Sequence, residues 1–544
     1  MTVQLVIPMS GFGERFREAG FEVPKPLIPV AGAPMIEHVL DMFPNDSQVL
    51  FIVNEGHLRK WEYHLEETLL KLRPDAKIVA VSSHKTGPSG AIALARNYIN
   101  LQSKVVVNYC DFTCLWNYKD FLRKLSQCDG VVATYTGFHP HLMRSTKFAY
   151  VTGAGDQVTG IQEKQPYTST PMMERISSGT YGFSSGSLLL DAIDKQIKRD
   201  LSLGGEFYTS LTYIPLLEEG RLIRSHNLDR FFQWGTPEDL HDFETVFRAF
   251  ESIGSNPPVK KPHSTIFLAA GLGSRFSRSG YTVPKPSLSL SGRPAWTQVL
   301  RSVQGTGQTV TVCLVDAIST EEAKKWGDVV EVGVATSGQA TSAQIGLNRL
   351  LDVSHPVTVA SCDALFPADY RLPKGQSIPK ISTWVCRPGS KARSNPEQFA
   401  WVSVNEQGQV LDFAMKQGPT GDGVWFVVSG TFTFRSGEIA KSYITEMTEE
   451  KLLTNGEFYL DNAIAIALSR GDEVKADIRE DFIGIGTPEE YESFRYWQGA
   501  FHHWRRSCYN ISQDWMVDTD AELDLINESL KALETPLVGV RSRD

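Results

Sequence analysis

Two short segments of this 544-residue chain combine glycines, an arginine and a proline-fixed lysine in an order that suits phosphate chemistry. The first runs Gly11-Phe-Gly13-Glu-Arg15 and is followed by Pro24-Lys25-Pro26; the second runs Gly271-Leu-Gly273-Ser-Arg275 and is followed by Pro284-Lys285-Pro286. Glycines directly after a strand and before a helix let backbone N–H groups approach a phosphate, and the helix N-terminus adds favourable potential. Prolines on both sides of a lysine fix its backbone and lower the entropy cost of holding its charge in place. Neither segment is a dinucleotide fingerprint, because Phe16 stands where the third glycine would be, and no Gly-Lys-Ser/Thr P-loop occurs. Asp111 and its counterpart Asp363 each follow an apolar run. An aspartate there either caps a helix or, with phosphate oxygens, holds Mg²⁺.

The elements that must position these residues are written twice. The glycine loop, the Pro-Lys-Pro clamp and a Gly-x-Pro element at Gly32 recur 260 residues later. Asp111 and Lys164-Gln-Pro166 recur after 252 residues, as Asp363 and Lys416-Gln-Gly418. Ser178-Gly-Thr-Tyr181, Glu206-Phe-Tyr208 and Gly235-Thr-Pro237 recur after 251. A near-constant offset over ordered landmarks means two copies of one domain. A Gly, Pro, Ser and Asn-rich seam at 252–262 separates a first domain at 1–252 from a second at 263–500, and residues 501–544 form a helical extension with an amphipathic pattern over 518–533. Within the first copy, apolar runs at 3–7, 49–53, 77–81 and 105–108 alternate with helical patterns at 35–42, 58–72 and 91–99. That rhythm implies an α/β fold, a mostly parallel sheet with helices on both faces, whose ligands sit at the carboxyl ends of strands. The glycine loop and Asp111 should therefore open onto one cleft.

Composition excludes several classes. The chain carries 54 Lys and Arg against 63 Asp and Glu, a net charge of −9, which disfavours nonspecific nucleic-acid binding. Seven cysteines, odd in number and never spaced as C-x-x-C, indicate neither a disulfide framework nor a zinc knuckle. No apolar run approaches the ~20 residues of a membrane helix. The start lacks the basic flank of a signal peptide. The expectation is a cytoplasmic protein without nucleic-acid or membrane partners, with a homo-oligomer left open.

The glycine loop, the Pro-Lys-Pro-Leu clamp and Gly32-Ala-Pro34 resemble the sugar-phosphate nucleotidyltransferases, whose pattern runs G-x-G-x-R-(F/L)…P-K-P-L-x-P-(V/I)-x-G-x-P. The resemblance covers both copies. It implies tandem Rossmann-like domains, Mg²⁺, and transfer of a nucleotidyl group from an NTP to a sugar 1-phosphate with release of pyrophosphate. It further implies that Gly11, Gly13 and Arg15 hold the triphosphate, Lys25 the phosphates around the reacting phosphorus, Asp111 the metal and Lys164 the sugar phosphate. Gly87 then contacts the base, and Gly179, Tyr181 and Glu206 the sugar. The second copy offers Gly271, Gly273, Arg275, Lys285, Gly338, Asp363, Lys416, Gly430 and Glu457 for the same roles. The chemistry needs no general base, since the nucleophile is already an ionised phosphate oxygen, and cations placed in line do the work.

The chain departs from the pattern where a second metal aspartate is expected two residues before Gly-Thr-Pro: Gln233 stands there in the first copy and Gly484 in the second. The second copy also replaces Leu27 by Ser287, Glu163 by Met415 and Tyr181 by Phe432. Two other readings stay open. One is a cytidylyltransferase acting on a non-sugar phosphate, suggested by the Ala-Ala-Gly-x-Gly-x-Arg start at Ala269. The other is that one copy binds nucleotide without turnover. If the product is a nucleotide sugar, polysaccharide or glycoconjugate synthesis is its expected use.

Overall fold

In the computed structural model, residues 3–254, 256–370 and 378–530 are described. The strand Val3–Met9 reads VQLVIPM, and Leu5, Val6 and Ile7 are all fully buried. An apolar run without alternation is hidden on both faces, as when helices cover both sides of a parallel sheet. Val3–Met9 pairs in parallel with Gln48–Asn54 on one side and Lys104–Asn108 on the other, and Lys77–Val81 extends the first flank. Beyond Lys104–Asn108 lies Arg175–Phe183, antiparallel to both of its neighbours; Gly130–Tyr135 and the parallel Ile223–Asn227 follow. The hairpin Ala149–Ala154/Gln157–Glu163 completes nine strands.

The second copy builds the same order from its own residues: Asp328–Val332, Thr309–Leu314, Ser264–Ala269, Val357–Ser361, Trp425–Phe434, Ile381–Cys386 and Val474–Ile478. Again the strand beyond the switch, Trp425–Phe434, runs against its two neighbours on this path. In each sheet the chain moves outward on one side of the first strand and then crosses to its other side. That switch point, between Val3–Met9 and Lys104–Asn108 and between Ser264–Ala269 and Val357–Ser361, is where doubly wound sheets open a ligand crevice.

Two compact units divide the chain, the first reaching Glu244 and including His503–Ser507, the second running Thr245–His502 with Cys508–Ser529. The first unit thus closes before the Pro-rich seam, inside the helix Pro237–Ile253. The reason is packing: Phe250, near the end of that helix, stacks within the second unit against Phe494 at 5.2 Å and Tyr509 at 4.9 Å between ring centroids. The extension is likewise divided. Trp504 packs within the first unit on His38, 5.3 Å away, and Arg506 donates to Glu37 at 2.7 Å. The amphipathic stretch forms a helix at Glu522–Leu530; its expected last residues, 531–533, lie outside the described residues.

The expected helix at 58–72 is broken. A single turn at Glu55–Arg59, begun by the Asn54 side chain accepting from Gly56, gives way to a 3₁₀ turn at Trp61–Tyr63, and a helix resumes at Leu65–Leu72. His64 takes left-handed backbone angles at the joint. The apolar spacing that suggested continuity includes Trp61, which is 73% exposed and gives no burial to hold an unbroken helix against the sheet. The pattern at 91–99 also begins earlier, at Gly87–Leu94, because Pro88 suits a first helical turn. No described helix is long and apolar enough to cross a membrane.

Candidate active site

The two residue types singled out first meet at the switch point of each sheet. In the first unit Lys25 Nζ donates to Asp111 Oδ2 at 2.6 Å and to the Gly235 carbonyl at 3.0 Å. The pairing of Phe112–Leu115 with Arg230–Gln233 brings the Gly235 turn here, and the Trp234 N–H donates to the Asp111 carbonyl at 3.0 Å. In the second unit Lys285 Nζ lies 2.8 Å from Asp363 Oδ2, and Ser361 Oγ donates to Asp363 Oδ1 at 2.5 Å. Burial opposes both charges there, but their mutual attraction wins: the Lys285 ammonium is held above its ordinary pKa and the Asp363 carboxyl below its own. The Lys285–Asp363 pair is thus kept ionised beside the glycine loop.

The loops themselves differ in what their glycines are for. Gly13 and Gly273 have φ of 64° and 61°, which a glycine adopts without cost, and each starts a short helix carrying Arg15 or Arg275. At Gly11 and Gly271 a Cβ would meet nothing within 4 Å, so the fold leaves free space over that backbone. Arg15 is exposed, and its charge reaches Tyr208 across the cleft.

The far end of each cleft is built around the second lysine. Lys164 and Lys416 both have left-handed backbones, φ 58° and 51°, at a cost of ~1–2 kcal/mol for a residue with a Cβ. Each is held by its own N–H, Lys164 to the Phe148 carbonyl at 2.8 Å and Lys416 to that of Phe399 at 3.0 Å. Lys164 Nζ donates to Tyr208 Oη at 2.5 Å, and that hydroxyl donates to Glu206. Lys416 lies over the Tyr459 ring, 5.2 Å from its centroid, and donates to the Gln398 carbonyl. Beside Lys164, Glu163 accepts from Ser210 Oγ at 2.5 Å, and burial raises its carboxyl pKa.

Gly87 and Gly338 have a packing reason that their expected contact with the base did not contain. Gly87 has φ 76°, and a Cβ on it would stand 2.9 Å from the Phe207 N; at Gly338, φ 129°, it would stand 2.6 Å from the Phe458 N. The Ser89 N–H donates to the Phe207 carbonyl and the Ala340 N–H to that of Phe458, so each glycine lets one loop lie against the Glu-Phe-Tyr segment beside the second lysine. Gly87→Ala is expected to destabilise the first unit by about 2–3 kcal/mol, from left-handed strain plus the overlap, lowering its melting temperature by ~4–10 °C in calorimetry. An unshifted melt would show that the loop relaxes freely.

Gly179 and Gly430, φ 98° and 78°, sit at irregular register in Arg175–Phe183 and Trp425–Phe434. Gly430 lines the second cleft, whereas Gly179 is buried, and a Cβ there would press on Tyr109 at 3.0 Å. Tyr181 corrects the expectation of a sugar contact: its ring is 2% exposed and its hydroxyl accepts from Ser177 Oγ at 3.0 Å. Phe432 in the second copy is fully buried, so that replacement is a change in the core rather than the loss of a cleft residue.

The missing second acid has two local explanations. In the first unit a Cβ on Gly235 would lie 2.4 Å from Gln233 Nε2 and 3.5 Å from Asp111 Oδ2, so an amide stands beside the lone carboxylate. In the second, a Cβ on Gly484 would lie 3.2 Å from the carboxyl carbon of Glu490. Glu490 accepts from the Gly486 and Thr487 N–H groups at 2.9 and 3.1 Å and pairs with Lys391 at 3.2 Å. A carboxylate therefore reaches that neighbourhood from one helical turn further along the chain. Among the described residues no group of three or more His, Cys, Asp or Glu could hold a metal. The aspartate paired with the proline-flanked lysine in each unit fits Mg²⁺ only if phosphate oxygens complete the shell, the usual manner of this ion.

Residues 5–214 match the nucleotidyl transferase family model. Among curated relatives it is 22% identical over 298 residues to the bifunctional protein GlmU of Bacillus subtilis, 52% of this chain and 55% of that one. A 43-residue stretch is 51% identical to the mannose-1-phosphate guanylyltransferase regulatory subunit alpha-A of Danio rerio, covering 7% of this chain and 10% of that one. The chain spans about half the length of the GlmU relatives it matches. Among solved structures, a nucleoside-diphosphate-sugar pyrophosphorylase from Vibrio cholerae aligns at 21% identity with a TM-score of 0.38, over 44% of this chain and 98% of that one.

Proposed function

We propose that the chain transfers a nucleotidyl group from an NTP to a sugar 1-phosphate, releasing pyrophosphate and giving a nucleotide sugar in the cytoplasm. The observation that carries this reading is the lysine–aspartate pair at the switch point, facing a second lysine at the far end of the same cleft and repeated in both units. The acceptor's phosphate oxygen forms the new bond to the α-phosphorus while the bond to the pyrophosphate oxygen breaks. Lys25 and Arg15 offset the negative charge on the triphosphate side, and Lys164 orients the attacking phosphate. Mg²⁺, bound by Asp111 and phosphate oxygens, would add charge neutralisation of the triphosphate. The attacking phosphate oxygen is already ionised, so no residue needs to take a proton.

A second reading has its own support: one unit binds nucleotide without turning it over. The Danio rerio relative is by name a regulatory subunit, and the second copy lacks an acid at 415 beside its acceptor lysine. Pyrophosphate release across a matrix of NTPs and phosphorylated acceptors with Mg²⁺ tests the choice. Signal with one NTP and one acceptor supports transfer. Intact nucleotide binding with silence throughout overturns transfer in favour of a binding module.

A further inference from the structure

The acceptor end of the second cleft appears at first to have lost its acid, because Met415 stands where Glu163 precedes the lysine in the first copy. The space tells otherwise. In the first unit Glu163 meets Ser210, the residue two beyond Tyr208; the residue two beyond Tyr459 is Asp461. The two positions have exchanged character, Glu and Ser in one copy, Met and Asp in the other, so each cleft keeps one carboxylate at this place.

Asp461 has no other occupation. It is only 7% exposed, yet it lines the cleft together with Met415, Lys416, Glu457 and Tyr459, a cavity of about 500 Å³. It stands at the start of the helix Asn462–Ser469, but its side chain caps nothing there. Its support is its own backbone N–H and the charge of Lys416, and burial pushes its carboxyl pKa up to about 6. A carboxylate largely removed from water, with its own N–H as its donor in the protein, has acceptor capacity left for the donors of a ligand.

We propose that Asp461 is a ligand-binding residue of the second cleft, accepting hydrogen bonds from the hydroxyl groups of a phosphorylated polyol whose phosphate is gripped by Lys416. This rests on reading the Lys164 and Lys416 ends as acceptor ends, but it concerns binding and does not require turnover. It also means that the second unit keeps a working pocket although it departs from the first along the sequence.

The test uses the full chain with Lys164→Ala, so that the second cleft supplies the remaining acceptor lysine. Calorimetric titrations compare glucose 1-phosphate, which offers both phosphate and hydroxyls, with inorganic phosphate, which offers only the former. Asp461→Ser, which installs the residue of the first copy, should weaken glucose 1-phosphate about tenfold or more and leave inorganic phosphate within roughly twofold. Adding Met415→Glu should restore most of the lost affinity, an outcome a merely structural role for Asp461 would not give. Should Asp461→Ser melt early, Asp461→Asn repeats the comparison with almost no change of shape. Equal losses for both probes, unchanged affinity for glucose 1-phosphate, or no binding of it before Asp461 is altered would each overturn the proposal. A chain that shows the expected pattern yet releases no pyrophosphate would separate a failed transfer reading from a failed role for Asp461.

Discussion

Replacing Lys25 by alanine lowers pyrophosphate release by ~10²–10³-fold, the usual loss when one preorganised donor to a developing anion is removed. The argument lies in how the ammonium is held. It is fixed between Asp111 Oδ2 and the Gly235 carbonyl, and its backbone is confined by Pro24 and Pro26, so its place near the glycine loop is set before any ligand arrives. Alanine keeps the fold but leaves Asp111 without its partner. That carboxylate is 26% exposed and can take up water in exchange, so the stability cost is about 1–2 kcal/mol and a thermal melt should show a nearly native unit. The parallel Lys285→Ala variant locates turnover: a loss confined to Lys25→Ala places it in the first unit, and a loss confined to Lys285→Ala in the second. Rates near the unaltered value in both variants would remove the proline-flanked lysines from the chemistry.

That the glycine loop and Asp111 open onto one cleft could be read from the sequence, because residues after two central strands must converge where the strand order reverses; the contact of Lys25 with Asp111 came with the fold. The repetition made the inference firmer, since Lys285 and Asp363 had to satisfy the same geometry with different neighbours. Other features were out of reach for physical reasons. A column-by-column comparison sees Met415 only as a loss, because the compensating carboxylate is at Asp461, 46 residues further along, and only the folded chain brings the two together. Glu490 is hidden in the same way: its position marks it as a residue of a helix start, while its carboxylate sits against Gly484. Tyr181 misled because a strand next to a cleft sends alternate residues to opposite faces, and a register irregularity at Gly179 decides which face each one takes. The break at His64 was concealed by Trp61, an aromatic ring in the right place in sequence that the fold leaves in solvent.

Asp111→Asn separates two roles that the ion pair combines. Asparagine keeps the shape and the backbone carbonyl that accepts from Trp234, so the Phe112–Leu115 pairing with Arg230–Gln233 should survive. What disappears is the charge, and with it both the ionic hold on Lys25 and the carboxylate that the pair places beside the glycine loop. If Asp111 holds Mg²⁺, turnover falls on the order of 10²–10³-fold and the Mg²⁺ concentration for half-maximal rate rises with it. If Asp111 serves only as a strut for Lys25, the rate falls while the Mg²⁺ titration of what remains keeps its midpoint. The neighbouring Gln233 sharpens the comparison: Gln233→Glu adds a carboxylate where its amide now stands near Asp111 Oδ2, and in the metal-holding case it should shift the Mg²⁺ midpoint in the opposite direction from Asp111→Asn. A midpoint unmoved by either substitution would assign the metal, if one is used, to the phosphates of the nucleotide alone.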